Sequence, residues 1–265
     1  MISARFYCFW MLTLDFLNAH WPAPNHVFAL TTTRSGGVSI PPYDGNNLAL
    51  HVGDDEKDVQ QNRRKLIETL KLPSMPAWLE QTHTNRCVVI EEDSNRLADA
   101  AVTRQHNTVL AIMTADCLPI VITNHQGTEI AAIHAGWRGL ANGIIESTLS
   151  QMHSDPSDLI AWVGPAICQR CYETGDEVQN IFTEQYPFTQ SAFQYHQHRL
   201  YANLPEMAEM VLKHHGVSQV YQSKQCTFET KNEKNIKNKY YSYRHEKQTG
   251  RIVTLIWFNG LAQRM

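Results

Sequence analysis

The sequence predicts a mixed α/β (α+β) fold, a single domain of packed mixed β-sheets flanked by helices, and three observations carry that prediction. Short runs of β-branched and aliphatic residues bounded by turn signals recur along the 265 residues, over 27–33, 109–112, 130–133, 159–164 and 252–258. Segments with helical periodicity are interleaved with these runs instead of following them in a block. No internal repeat or interdomain linker interrupts the chain, so one domain over residues 19–265 is expected.

Taken in order, residues 1–18 read as an N-terminal extension, disordered or partly upstream of the true start. Its run 6–14 is apolar and aromatic-rich, but one basic residue precedes it and no small-residue cleavage pattern precedes Asp15 and Asn18. It is therefore a poor secretory leader, and Met11 is an alternative start. The strand-like run 27–33 ends in Arg34-Ser35-Gly36-Gly37, a glycine turn in which Arg34 is either an anion ligand or an ordinary turn residue. The loop 41–47 is long and polar, which favours function, and Asn47 at its end is a candidate substrate contact.

Residues 54–70 predict a helix, with Asp54 or Asp55 as cap, Glu56 and Asp58 in its first turn, and Val59, Leu66, Ile67 and Leu70 on one face. Strand character resumes over 78–90, interrupted by Glu80-Gln81-Thr82-His83-Thr84-Asn85. Further helices are expected over 140–152, over 174–186 (stopped by Pro187), and over 203–215, where Asn203 caps, Pro205 lies early and Gly216 follows. The tail alternates between strand-like runs at 220–225, 240–244 and 252–258. The basic segment 231–239 reads as an exposed hairpin tip or insertion.

A formal net charge of −3 gives no electrostatic footprint for nucleic acid or an anionic membrane. No apolar run reaches the roughly 18 residues of a spanning helix. The six cysteines, at 8, 87, 117, 168, 171 and 226, are scattered over a chain long enough to need no staples, a pattern that fits a reducing cytoplasm. Cys168 and Cys171 form a lone CxxC, which without a second pair or a thioredoxin-like context reads as incidental thiols. A monomer is the expected state.

The chemistry gathers where apolar runs end. Cys117, after Thr114-Ala115-Asp116, follows the 109–112 run, and His134 closes the 130–133 run. His83 stands in the polar break of the 78–90 segment. Two imidazoles and a thiolate suit zinc with three protein ligands and one open position. The same residues also read as a satisfied histidine pair beside a buried thiol, or as a Cys–His nucleophile pair with Asp116 or Asn85 orienting the base. Spacing leaves all three open. Gly136-Trp137-Arg138-Gly139 lies between a strand and a helix, where free N–H groups and a guanidinium suit an anion; alternatively, Gly136 only permits close packing.

At these residues a resemblance becomes specific. TTRSGGVS, PPYDG, HVGDD, PAWLEQTH, MTADCLPIV, AAIHAGWRGLANG, AWVGPAI, YETGDEV, YSYR and TGRIVTLIW occur in one order. The chain thereby resembles the YfiH-type family, variously named purine nucleoside phosphorylase, laccase-domain polyphenol oxidase and peptidoglycan editing factor, over residues 21–257.

The resemblance implies packed sheets with flanking helices and a zinc site at His83, Cys117 and His134. It implies phosphorolysis of adenosine, inosine, guanosine and methylthioadenosine, together with adenosine deamination. Arg138, with Arg34 or Arg244 as helpers, is the candidate phosphate ligand. Asp116 is the candidate proton carrier or partner to a ligand histidine. Copper-dependent phenol oxidation, and a hydrolase of peptidoglycan precursors using Cys117 as nucleophile, are the alternatives the family names bring. The chain departs from the family pattern in five places: Thr84 replaces the usual glycine, His106-Asn107 a Pro-Gly turn, and Ala49 a glycine; Cys168 and Cys171 stand where cysteines are unusual, and the 231–239 insertion precedes YSYR.

Overall fold

The computed structural model describes residues 13–229 and 238–260. The N-terminal half runs β1 (Phe16–Asn18), β2 (Val27–Thr32), α1 (Glu56–Leu70), β3 (Ala77–Trp78), β4 (Cys87–Val89), β5 (Ala100–Thr103) and β6 (Leu110–Thr114). It continues with β7 (Leu118–Asn124), β8 (Ile130–Ala135), α2 (Trp137–Ala141), α3 (Ile144–Leu149) and β9 (Leu159–Val163). The last part holds β10 (Glu173–Thr174), α4 (Asp176–Gln185), β11 (Phe193–His196), β12 (Arg199–Ala202), α5 (Leu204–His214), β13 (Gln219–Gln222) and β14 (Ile252–Phe258).

Two mixed sheets face each other. One has the order β1-β2-β14-β6-β3, the other β13-β9-β7-β8-β5-β4, and a small third sheet, β10-β12-β11, lies outside them. The side-chain alternation explains the layering. On β8, Ile130 and Ala132 join the core between the sheets, while Ala131 and Ile133 join the core under helices α2 to α5. On β14, Ile256 and Phe258 point between the sheets, and Val253, Leu255 and Trp257 pack with α1 through Leu66. Both faces of each sheet are thus covered, which is why the strands read as unbroken apolar runs instead of alternating ones. Each fully buried aliphatic chain in these layers, such as Ile120 or Ile133, contributes roughly 1.5–3 kcal/mol.

The mixed α/β architecture is as expected, and α1 is capped by Asp55, which accepts from the Lys57 N–H. The expected 140–152 helix is instead two short ones, α2 and α3, broken at Gly143, which adopts φ +85°. Residues 240–244 form no strand: Tyr240 and Tyr241 are buried in irregular backbone that leads into a turn at 243–245. Within the stretch expected as an N-terminal extension, Phe16–Asn18 pairs antiparallel with β2. Residues 1–12 and 230–237, which hold most of the extension and the basic insertion, lie outside the described residues. Strands β5 and β7 carry no separate expectation from the sequence, and both prove central to the site. No helix among the described residues is long and apolar enough to cross a membrane.

Candidate metal centre

The chain crosses between the two large sheets at two points near each other in space. Residues 79–86 connect β3 to β4, and Ala115-Asp116-Cys117 connects β6 to β7. The first crossing carries His83 and the second carries Cys117. His134, on β8, stands opposite Pro119 of β7. The ligand atoms of the three residues all lie within 4.8 Å of one another. Cys117 Sγ is 3.8 Å from His83 Nε2, and the two imidazole rings meet edge-on at 4.8 Å between centroids. His134 is buried, Cys117 half-buried and His83 exposed, so the cluster opens to solvent on the His83 side.

Both crossings are sharp. His83 (φ +62°) and Asp116 (φ +87°) occupy the left-handed region, which L residues enter only when their surroundings hold them there. At His83 the holding group is Asp99, a fully buried residue at the start of β5. Asp99 Oδ1 accepts the His83 N–H at 3.0 Å and lies 2.7 Å from His134 Nδ1, while Oδ2 accepts the N–H groups of Thr82 (3.2 Å) and Thr84 (2.7 Å) and the Thr84 hydroxyl (2.8 Å). With Nδ1 engaged by Asp99, His134 presents Nε2 to the cluster, the tautomer a metal ligand requires. Gln81 anchors the same crossing, pairing through its amide with both backbone groups of Met113 at 2.8 Å.

The electrostatics follow from this packing. Burial alone pushes the Cys117 thiol up, but the His134 and His83 imidazoles outweigh it and bring the thiol down to about 6. Burial would depress His134; Cys117 and Asp99 reverse that and raise it to about 9. Burial opposes ionisation of Asp99, yet hydrogen bonds from His134 and Thr84 hold it near 2. A thiolate, a correctly oriented imidazole and a second, exposed imidazole form a donor set whose chemistry fits zinc.

Gly136 is what lets the three meet. A Cβ there would stand 2.7 Å from His83 Cδ2 and 3.1 Å from Cys117 Sγ, so its role is to leave room. The helix that follows it, α2, has only five residues, too few to make a helix-terminus anion site of the kind expected. Arg138 and Arg244 line a cleft of about 550 Å³ together with Trp137, Tyr172, Glu173, Thr174 and Glu177. Arg138 lies over the Trp137 ring, and Arg244 lies over Tyr172 while donating to the Glu173 carbonyl.

Three of the expected site residues are held by partners outside the cluster. Asp116 does not orient a ligand histidine, a task that falls to Asp99; its carboxylate accepts from the Thr227 hydroxyl (2.6 Å), the Ser242 hydroxyl (3.0 Å) and the Arg244 N–H (2.7 Å), and so holds the 240–244 segment. Arg34 is paired with Asp44 at 3.0 Å and stacked on Tyr241. Asn47 is fully buried; its amide donates to Ala49 O and Asp54 and accepts from the N–H groups of Ala49 and Arg251. Asn85 donates to Asn142 O, away from either histidine's orienting contact.

Sequence reasoning missed Asp99 and His51. The second stands on the turn Leu50–Val52, where burial and then the charges of Arg251, Arg63 and His134 lower its pKa. The only sequence signal for Asp99 is a lone acid set in the alanines of Leu97-Ala98-Asp99-Ala100-Ala101.

Comparison with known proteins identifies the family of the chain. Residues 28–259 match the family described as multi-copper polyphenol oxidoreductase laccase. The purine nucleoside phosphorylase YfiH of Shigella flexneri is 42% identical over 89% of this chain and 96% of its own. The purine nucleoside phosphorylase of Haemophilus influenzae is 41% identical, covering 91% and 98%. Among solved structures, a Neisseria meningitidis protein of the DUF152 family superposes with a TM-score of 0.85 at 38% identity, covering 93% of this chain and all of its own. YlmD of Geobacillus stearothermophilus superposes with a TM-score of 0.79 at 29% identity, covering 94% and 99%.

Proposed function

The chain belongs to the YfiH-type, laccase-domain family, and from that premise we propose that it is a zinc-dependent purine nucleoside phosphorylase. Adenosine, inosine, guanosine and methylthioadenosine are its substrates with phosphate, and adenosine deamination is a second activity of the same site. The protein works as a cytoplasmic monomer. The observation that carries this reading is the convergence of His83, Cys117 and His134 on one point beside a cleft holding two arginines.

His83, Cys117 and His134 would hold the ion. A divalent metal there supplies Lewis-acid polarisation of an oxygen nucleophile or substrate oxygen. The protein's own groups do the rest. Arg138 and Arg244 bind phosphate through charge-assisted hydrogen bonds, and their positions over Trp137 and Tyr172 limit the side-chain freedom lost on binding. Asp99 keeps His134 oriented and His83 in its strained backbone conformation. Asp116 is assigned a positioning part, its carboxylate accepting from Thr227, Ser242 and the Arg244 N–H.

Two other readings have less support. Two histidines and a cysteine also suit copper, but a multicopper oxidase needs a further, histidine-rich cluster. The one other ligand cluster among the described residues contains no histidine. A hydrolase using Cys117 as nucleophile draws support from the lowered thiol pKa, yet that same thiolate is what a metal ligand requires.

The test is product identification with inosine and phosphate, coupled to elemental analysis. Hypoxanthine and ribose 1-phosphate from zinc-loaded protein, both lost in Cys117→Ala, are the expected result. Full phosphorolysis by a metal-free Cys117→Ala protein would refute the assignment.

A further inference from the structure

We propose that this protein carries a second metal site, a closed zinc-class site made by Cys168, Cys171, Cys226 and Glu229. The lone CxxC reads as incidental in the sequence, but folding supplies what it lacks. The turn Gln169–Cys171, closed by Cys171 N–H donating to Cys168 O at 3.0 Å, brings the two thiols of the pair to 3.5 Å. A third thiol arrives from far along the chain. Ala166 and Cys226 form a parallel bridge, tied by the Thr227 N–H to Ala166 O and the Ala166 N–H to Gln225 O. The carboxylate of Glu229 completes a group whose four ligand atoms all lie within 4.8 Å of one another.

The distances favour an ion over a disulfide. Thiolates about 2.3 Å from a tetrahedral zinc stand roughly 3.8 Å apart, close to the 3.5 Å between Cys168 and Cys171 Sγ. A disulfide would require about 2.05 Å and would leave Cys226 and Glu229 without a role. The surroundings are those of ligands held from behind. The Cys168 N–H donates to Cys226 Sγ at 3.3 Å, and Arg170 donates twice to Glu229 Oε2, at 2.8 and 2.5 Å. The guanidinium also offsets part of the negative charge that three thiolates and a carboxylate bring to one divalent ion. Four protein ligands leave no open position, so the site is structural. Soft thiolates select zinc over magnesium or calcium.

Position gives the site a consequence. Ile167, beside Cys168, donates its N–H to Asp116 O at 3.0 Å, and Thr227, beside Cys226, donates its hydroxyl to Asp116 Oδ1 at 2.6 Å. An ion joining residues 168 and 226 therefore braces the crossing that carries Cys117.

The test is cobalt(II) titration of reduced full-length protein, followed by zinc displacement. In Cys117→Ala, where the first cluster has lost its thiolate, one equivalent of cobalt with a thiolate charge-transfer band is expected. That band should vanish in Cys117→Ala/Cys168→Ser/Cys171→Ser. Binding of the equivalent releases thiol protons, so its apparent affinity should rise with pH. Wild-type protein gives a second readout that needs no substitution: zinc should protect Cys168, Cys171 and Cys226 from alkylation, as mapped by mass spectrometry. Three results would each overturn the proposal: no cobalt band in Cys117→Ala, alkylation of these three thiols unaffected by zinc, or a Cys168–Cys171 disulfide formed in preference to metal binding in protein prepared under reductant. None of them bears on the phosphorylase assignment, which rests on the other cluster.

Discussion

Asp99 Oδ1 lies 2.7 Å from His134 Nδ1, and the same oxygen accepts the His83 backbone N–H, so one atom sets the geometry of both histidine ligands. Asp99→Asn keeps the shape but replaces an acceptor of five donors with a group that has one acceptor oxygen and two hydrogens to place. Metal affinity should fall about 10- to 100-fold, read by competition with a chromophoric chelator. Undiminished affinity in a folded Asp99→Asn protein would show that the carboxylate does not govern the ligands.

Acid stability should report the same residue. The Asp99 carboxyl is depressed to about 2, so the stability it contributes is fully present above its unfolded value near 4 and is lost as pH falls through 2. The predicted outcome is a loss of stability in wild-type protein between about pH 4 and 2 that is largely missing from Asp99→Asn. Urea midpoints measured across that window make the comparison.

Gly136→Ala tests the space between ligands without disturbing the backbone, since φ at this position is −67° and suits alanine. The added methyl meets the His83 ring and Cys117 Sγ. Turnover should drop about 10²-fold with circular dichroism unchanged. A fully active Gly136→Ala enzyme would mean that the ligands have slack the packing does not suggest.

Thiol reactivity in chelator-treated protein should separate two cysteines. Cys117 is brought down to about 6 by its histidines, whereas burial pushes Cys87 up to about 12. Alkylation of Cys117 should follow a titration centred near pH 6 and be blocked by zinc, while Cys87 should stay unlabelled until the protein is unfolded. Peptide mapping after pulses at pH 5, 7 and 9 gives the answer.

Among the arginines, the expectations divide. Arg138→Ala and Arg244→Ala should each raise the phosphate KM about tenfold, the loss of one charge-assisted contact. Arg34→Ala should leave that KM unchanged and lower stability, because Arg34 already pairs with Asp44 and stacks on Tyr241. A phosphate KM that responds to Arg34 but to neither of the others would reassign the anion site.

How much of this could be read from the chain depended on whether the cause was local. Cys117 and His134 were legible because each ends an apolar run, and sequence pattern shows where strands stop. Asp99 was not, because its role is created by the pairing of β5 with β8, where the His134 N–H also donates to Asp99 O. The break in the 140–152 helix turned on a single left-handed glycine inside a convincing periodicity. Tyr240 to Arg244 carries strand-forming residues, but Asp116 claims its Ser242 hydroxyl and Arg244 N–H and folds it into a turn. Arg34 and Asn47 were of the right residue types to bind substrate, and only their partners show that they are already engaged.

Two of the three proposed zinc ligands sit on the strokes by which the backbone passes from one sheet to the other, and the third sits on a strand of the second sheet. An ion shared by them is a rivet through both leaves of the sandwich at its rim. Chelation should then loosen the seam before it melts either leaf, with deuterium entering first at residues 79–86 and 115–117 while the amides of β7 and β8 remain closed.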